Sequence, residues 1–126
     1  DVDQFKCIND RFGHPLGDSA LVHLGRVMQS VLRSEDVLAR IGGDEFAILL
    51  PNTTLSAAAS LAERLRLQVM QSPLPLPDGD KLVITISAGL VENGEGELME
   101  SLYARADQML YQAKQSGRNC VACKAP

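Results

Sequence analysis

The chain has 126 residues, of which 45% are hydrophobic and 22% charged, the composition of one soluble globular domain. Its net charge of −4 argues against binding to nucleic acid polymers, which needs a surplus of Lys and Arg, so any phosphate must be bound by a local basic cluster. We expect no membrane contact by this domain, because no apolar stretch reaches the roughly 20 residues of a transmembrane helix and the first residues do not resemble a signal peptide.

The first predicted element is a helix over residues 17–32, where apolar residues recur at intervals of three and four. Two short apolar runs follow at residues 37–41 and 46–50, separated by Gly42-Gly43-Asp44. Paired glycines supply the positive φ angles of a tight turn, so we expect these runs to form an antiparallel hairpin.

After the hairpin, Thr53, Thr54 and Ser56 offer N-cap oxygens to a helix whose apolar stripe runs to Val69. The Pro-rich segment 72–80 is predicted to be a loop. Residues 82–91 alternate between apolar and small or polar side chains and predict one long strand. A last helix is expected over about residues 97–116, ended by Gly117 and followed by a short strand at 120–123.

This order of elements predicts an α+β fold. The chain starts at a residue typical of a strand end, and adding that strand gives the order βαββαβ with an additional αβ unit. The result is a ferredoxin-like or palm-type domain, in which an antiparallel-containing central sheet is flanked by helices, expected on one face. We see no domain boundary within residues 1–126.

The three cysteines, Cys7, Cys120 and Cys123, favour a reducing compartment, by default the cytoplasm, because their number is odd and the chain needs no disulfides. Cys120 and Cys123 have the spacing of half a zinc site, but zinc needs four ligands and no second pair exists. We interpret both as ordinary thiols of a strand.

Two acidic clusters lie at predicted strand ends, Asp1 with Asp3 and Asp44 with Glu45. If the unseen strand pairs with the hairpin, these carboxylates converge at one edge of the sheet. Mg²⁺ typically takes one or two protein carboxylates and completes its shell with water and phosphates. Two such ions suit phosphoryl or nucleotidyl transfer. The alternative is that each acidic residue is a solvated turn residue.

These clusters belong to longer stretches that follow one another along the chain. The stretches are residues 1–18, Arg40-Ile-Gly-Gly-Asp-Glu-Phe46 and residues 113–119, and Thr85-Ile-Ser-Ala-Gly89 lies between the second and the third. Together they resemble the GGDEF family of diguanylate cyclases over the whole chain. The resemblance implies condensation of two GTP into cyclic di-GMP with release of two pyrophosphates. It also implies that the domain's leading helix and first strand precede Asp1, in a region that could anchor the full-length protein to a membrane.

The resemblance further implies a role for particular residues. Asp1 and Asp44 match the residues that bind two Mg²⁺ per active site, with Mn²⁺ as an alternative ion, and Val2 matches the one that adds its carbonyl oxygen. Asp44 also matches the general base for the 3′-hydroxyl of GTP. Glu45 takes a supporting role, and Lys6 stabilises charge on the phosphates.

Substrate recognition is implied at five further positions. Asn9 and Asp18 match the pair that binds guanine, and the Asp18 carboxylate can accept from guanine's ring N–H and amino group, which favours GTP over ATP. His14 matches another substrate contact, although a His before Pro could equally be structural. Lys114 and Arg118 are expected to bind the phosphate tail, the alternative being that they pair with a helix dipole.

A second site is expected at Arg33 and Asp36, an Arg-x-x-Asp pattern upstream of the Gly-Gly turn, together with Arg64 of the next helix. Many relatives bind their product there as an inhibitor, and the planar fork of Arg suits phosphate oxygens and bases. An exposed ion pair is the alternative.

The leading hypothesis is therefore an enzyme. Two domains, each holding one GTP, must face each other across a twofold axis, which requires a homodimer. A catalytically silent domain that senses GTP or cyclic di-GMP is the alternative from a different class. A related cyclase that makes a mixed or monomeric cyclic nucleotide is disfavoured by Asp18.

Overall fold

The structure is a computed structural model that describes residues 1–124. Within that range it contains four helices and six strands in the α+β class expected from the sequence. The elements are α1 (Phe5–Phe12), α2 (His14–Val31), β1 (Val37–Arg40), β2 (Phe46–Leu49), α3 (Leu55–Met70), β3 (Leu74–Pro75), β4 (Lys81–Leu82), β5 (Ala88–Val91), α4 (Met99–Gln115) and β6 (Val121–Lys124).

The strands form three separate pairs, β1 with β2, β3 with β4 and β5 with β6. The start of the chain lies between the first and the last pair, and together these make up the sheet layer. β1 pairs antiparallel with β2, as predicted, and β5 pairs parallel with β6. The Val2 N–H donates to the Asp44 carbonyl at 3.0 Å, and the Asp3 N–H donates to the Thr85 carbonyl at 3.0 Å. Residues 1–3 therefore connect the hairpin to the segment that leads into β5.

The helices agree with the sequence patterns except at the first. α3 has the expected Thr54 N-cap, whose hydroxyl accepts from the Ala57 N–H at 3.2 Å. α1 is absent from the predicted elements, because its eight residues are too few to establish a period and a helix this short depends on packing, here against α2. No helix among residues 1–124 is both long and apolar enough to cross a bilayer.

Residues 72–91 differ most from the prediction. The segment 72–80 is not entirely a loop, because Leu74–Pro75 pairs with Lys81–Leu82 across a turn in which the Leu76 N–H donates to the Asp80 carbonyl at 2.8 Å. The single strand expected over 82–91 is divided into β4 and β5. Between β4 and β5, a single isolated bridge pairs Ile86 with Val2. A continuous strand would need a longer ladder of hydrogen bonds to a neighbouring strand.

The helices cover both faces of the sheet, rather than one. Buried residues of α2 and α3 pack against Val2, Leu74, Ile84 and Ile86. Alternation along the strand turns Gly89 to the other face, where α4 lies so close that a Cβ on Gly89 would overlap with backbone atoms of α4. This helix carries Lys114, one of the residues expected to bind the phosphate tail.

The loop between β5 and α4 is fixed by an ion pair. Arg105 donates from Nε to Glu97 Oε2 at 2.8 Å and from Nη2 to the Glu92 carbonyl at 2.6 Å. Glu97 also accepts from the Gly94 N–H at 3.0 Å. Hydrogen bonding to Arg105, and then to Gly94, lowers the pKa of Glu97 to about 2.

This shift predicts a loss of stability in acid. Because the folded-state pKa of Glu97 lies below the ordinary value of 4.5, its contribution is present above pH 4.5 and is lost as pH falls towards 2. We expect Glu97→Gln, which has no charge to lose, to show a shallower decline of unfolding midpoint between pH 4.5 and 2 than the wild type. Denaturant unfolding at a series of pH values tests this, with Glu95→Gln as the exposed control. Parallel curves for wild type and Glu97→Gln would contradict it.

Candidate active site

The hairpin loop presents Asp44 at one end of the sheet. The Ile41 N–H donates to the Glu45 carbonyl at 3.0 Å, and the Arg40 Nε donates to the carbonyls of Gly42 and Gly43 at 3.1 and 3.0 Å. The expectation that these glycines adopt positive φ is wrong, since neither does. A loop closed by an arginine side chain does not require the left-handed conformations of a two-residue turn.

Asp1 lies beside this loop in a partly buried, charged environment. Its side chain is 8% exposed and accepts from Lys114 Nζ at 2.7 Å. The next residue, Val2, donates its N–H to the Asp44 carbonyl at 3.0 Å, and Asp1 and Glu45 line the same groove. The structure therefore brings Asp1, Asp44, Glu45 and Lys114 within electrostatic range of one another, as the two-cluster hypothesis requires.

The available oxygen atoms fit a hard cation. Val2 is 1% exposed, and no donor among residues 1–124 makes a well-aligned hydrogen bond to its carbonyl oxygen. Buried carbonyls are rarely left without a partner. The carboxylate of Asp44 likewise has no hydrogen bond or ion pair within the described chain. Although the described residues contain no group of three or more acidic, His or Cys side chains ready to hold a metal, Mg²⁺ needs only one or two protein carboxylates when substrate phosphates and water complete its shell.

The first turn of α1 is open to an anion. Its N-cap, Gln4, has φ 53° and ψ 37° and gives no side-chain cap. The N–H groups of Phe5 and Lys6 make no well-aligned hydrogen bond among residues 1–124, and such N–H groups at a helix start favour negative charge. A polar cavity of about 470 Å³ borders this turn, and Gln4, Arg11 and Arg118 are among its lining residues. Lys6 is exposed in the same turn.

The proposed guanine-binding residues lie on α1 and α2. Asn9 Oδ1 is the one buried side-chain oxygen or nitrogen of residues 1–124 that has no hydrogen-bond partner. It lies against Gly17, where any Cβ would overlap with it. The next residue, Asp18, is exposed, and His14 is exposed as the first residue of α2 rather than in a loop. An unpartnered buried oxygen in a native fold points to a missing donor, which a ligand between these helices would supply.

The Arg-x-x-Asp pattern forms a closed local pair. Arg33 donates from its backbone N–H to Asp36 Oδ2 and from Nη2 to Asp36 Oδ1, both at 2.8 Å, and from Nη2 to Thr53 Oγ1 at 2.6 Å. Hydrogen bonding to Arg33 lowers the pKa of Asp36, whose side chain is fully buried. Arg64 is exposed on α3, and within residues 1–124 it makes no hydrogen bond or ion pair with Arg33 or Asp36. The structure thus joins two of the three expected residues.

Asp3 accepts three hydrogen bonds that the sequence analysis did not predict. Its Oδ2 accepts from Thr85 Oγ1 at 2.8 Å and from the Asn119 N–H at 3.0 Å, and its Oδ1 accepts from Ser87 Oγ at 2.6 Å. The clue in the sequence is the pair of hydroxyl residues spaced by two in a strand, since such residues face the same side. Asp3 therefore differs from Asp1, with which it was grouped.

Comparison with known proteins gives consistent matches. The family model described as "Diguanylate cyclase, GGDEF domain" matches residues 1–120. The response regulator PleD of Caulobacter vibrioides is 44% identical over an alignment of 127 positions, which covers 99% of this chain and 28% of that protein. The chain spans about a third of the length of the curated relatives it matches.

Two solved structures share the fold closely. The GGDEF domain of DgcB from Caulobacter crescentus, in complex with c-di-GMP, is 36% identical and has a TM-score of 0.92 over 98% of this chain and 73% of that one. The active GGEEF domain of a diguanylate cyclase from Vibrio cholerae is 37% identical and has a TM-score of 0.85 over 98% of this chain and 78% of that one. These matches confirm the fold class expected from the order of elements.

Proposed function

Because the chain belongs to the GGDEF family of diguanylate cyclase domains, we propose that it condenses two GTP molecules into cyclic di-GMP and releases two pyrophosphates. The observation that carries this proposal is the meeting of Asp1 and Asp44 beside the unpartnered carbonyl of Val2. Relatives named as a diguanylate cyclase and as a complex with c-di-GMP support it. GTP as substrate places the reaction in the cytoplasm.

Two Mg²⁺ ions, or Mn²⁺ in their place, would be held by the carboxylates of Asp1 and Asp44 and the Val2 carbonyl. When bound, such ions lower the pKa of a nucleophilic hydroxyl and stabilise the leaving oxygen. The Lys114 ammonium lies 2.7 Å from the Asp1 carboxylate and would offset its negative charge at this edge. Glu45 adds negative charge beside the same edge.

Particular side chains and backbone groups carry out the proton transfer and bind the phosphates. Asp44 takes the proton from the 3′-hydroxyl of its GTP, whose oxygen then forms a bond to the α-phosphorus of a second GTP while the bond to pyrophosphate breaks. Lys6, Lys114 and Arg118, with the open N–H groups at the start of α1, bind the phosphate tail. Because one domain holds one GTP, a homodimer brings the two substrates together.

Guanine selection is assigned to Asn9 and Asp18. The buried Asn9 Oδ1 requires a donor, which the amino group of guanine provides, and the exposed Asp18 carboxylate can accept from the ring N–H. His14, at the start of α2, contacts the substrate from the same side. Adenine lacks this donor pattern, so the site is expected to discriminate against ATP.

Product inhibition is proposed at Arg33, Asp36 and Arg64. The Arg33 side chain is 44% exposed, whereas that of Asp36 is buried. Cyclic di-GMP would therefore approach the guanidinium from solvent while Asp36 keeps it oriented, and Arg64 would join from α3.

A groove between the β1–β2 pair and the β5–β6 pair supports the proposal that residues 1–126 belong to a domain with a further strand. This groove, of about 640 Å³, is lined by apolar residues that include Phe46, Ile48 and Leu90. β2 and β5 each have one edge without a ladder partner among residues 1–124. A strand entering at Asp1 would fill the groove, pair with both edges and follow the leading helix of the domain.

Product analysis of the intact protein tests the proposed activity. Incubation with GTP and MgCl₂ is expected to give cyclic di-GMP by mass spectrometry, with two pyrophosphates per product. Added cyclic di-GMP should slow the reaction, and Arg33→Ala should weaken that inhibition, whereas Arg26→Ala, which removes an exposed arginine of α2, should not. Binding of GTP or cyclic di-GMP without turnover would support the silent sensor instead, and a different cyclic product would reject the assigned guanine specificity.

A further inference from the structure

The turn between α4 and β6 has an unusual backbone. Gly117, Arg118 and Asn119 have φ angles of 106°, 64° and 45°. Residues with a side chain rarely adopt positive φ, and such conformations persist where the surrounding structure holds them. The direction of the Arg118 side chain therefore depends on the contacts that fix its neighbours.

Asn119 is held from two sides. Its N–H donates to Asp3 Oδ2 at 3.0 Å. From α3, Arg66 Nη1 donates to Asn119 Oδ1 at 3.0 Å and to the Asn119 carbonyl at 3.4 Å. Glu63 in turn pairs with Arg66, whose side chain is 15% exposed. We call Asp3, Asn119 and Arg66 the Asp3 clamp.

The carboxylate of Asp3 is already occupied. Thr85, Ser87 and Asn119 donate three hydrogen bonds to its two oxygens, which uses most of the acceptor capacity of a carboxylate. Asp1 differs, because its one side-chain partner is Lys114. The two acidic residues at the start of the chain are thus chemically distinct, although they are two positions apart.

We propose that Asp3 is a positioning residue rather than a metal ligand. It lies one residue beyond Val2 and ties the metal-binding edge to the turn that carries Arg118, with Arg66 as the second arm. Fixing these two groups relative to each other aligns the phosphate tail with the reacting edge. The phosphate part of this inference rests on the proposed function, whereas the clamp itself does not.

The clamp is tested in the intact protein by two substitutions at Asp3 and two on the Arg66 side. Asp3→Ala removes all three acceptor contacts. Asp3→Asn can keep all three, because its amide oxygen accepts from the Asn119 N–H and the Thr85 hydroxyl while its amide nitrogen donates to the Ser87 hydroxyl. Arg66→Ala opens the other arm, and Glu63→Ala is its control because it removes only the ion pair on Arg66.

Two readouts are compared. In Asp3→Ala and Arg66→Ala, we expect the hydrogen-exchange rates of the Arg118 and Asn119 backbone amides to rise about tenfold. The half-saturating GTP concentration should rise by a similar factor, which corresponds to the loss of one hydrogen bond to a charged group. Asp3→Asn and Glu63→Ala should stay within about threefold of wild type, with the half-saturating Mg²⁺ concentration unchanged in Asp3→Asn.

Two results would overturn the inference. A tenfold higher Mg²⁺ requirement in Asp3→Asn would make Asp3 a metal ligand, and unchanged exchange at Asn119 in Arg66→Ala would show that the turn is not clamped. If Asp3→Ala fails to fold, Arg66→Ala still decides. If the wild type makes no cyclic di-GMP the proposed function fails, while the exchange measurement, which needs no turnover, still decides on the clamp.

Discussion

Replacing Asp44 with Asn is expected to lower the rate of cyclic di-GMP formation by at least about 10³-fold, because one change removes a metal-binding charge and the general base. The side chains are nearly the same size, so the loss is one of charge. Steady-state rates at saturating GTP and Mg²⁺ provide the measurement. Asp44→Glu, which restores a carboxylate, should recover much of the activity, because the active Vibrio cholerae domain is a GGEEF domain, with Glu at the corresponding place in its signature.

The fold should tolerate this substitution. The carboxylate of Asp44 makes no hydrogen bond within residues 1–124, and the contact that matters for the sheet uses the Asp44 carbonyl, which accepts from the Val2 N–H. The free energy of unfolding of Asp44→Asn should therefore lie within about 0.5 kcal/mol of wild type. Glu95→Gln, an exposed loop substitution, serves as the activity control. Full turnover in Asp44→Asn would remove Asp44 from the mechanism.

Elements governed by local patterns could be predicted from the sequence. α3 follows from the Thr54 cap and a long apolar stripe, both of which act within a few residues. The β1–β2 hairpin follows from two apolar runs separated by a turn. The closeness of Asp1 and Asp44 could be expected because two strand ends meet at one edge. The helix and the hairpin need only local sequence patterns, whereas the closeness of Asp1 and Asp44 also needed the assumption that an unseen strand pairs with the hairpin.

Features that depend on distant partners could not be predicted in the same way. The pairing of Leu74–Pro75 with Lys81–Leu82 overrides the loop tendency of a Pro-rich segment. Arg40, rather than glycine φ angles, holds the hairpin loop. At the site, the unpartnered Asn9 oxygen arises from packing of α1 against Gly17 of α2, which no spacing rule reveals.

Gly89→Ala is expected to cause the largest loss of stability among single-methyl additions to this chain. A Cβ at this position would overlap with Ala106 O and Leu110 N and lie 2.9 Å from Leu110 Cα. Backbone atoms of a packed helix cannot move aside as a flexible side chain can, so α4 must shift from β5. We expect the free energy of unfolding to fall by about 3 kcal/mol, measured by denaturant unfolding.

Gly25→Ala is the matched control, because it adds the same methyl group inside α2 where no atom outside its own stretch of helix lies within 4 Å of the new Cβ. Its higher helix propensity should stabilise the protein by about 0.5–1 kcal/mol, the opposite sign. A shift of α4 also moves Lys114 away from Asp1, which it contacts at 2.7 Å. Gly89→Ala should therefore lose activity even at temperatures where it remains folded, whereas Gly25→Ala should keep it. Equal stabilities for the two variants would show that α4 does not depend on the close approach at Gly89.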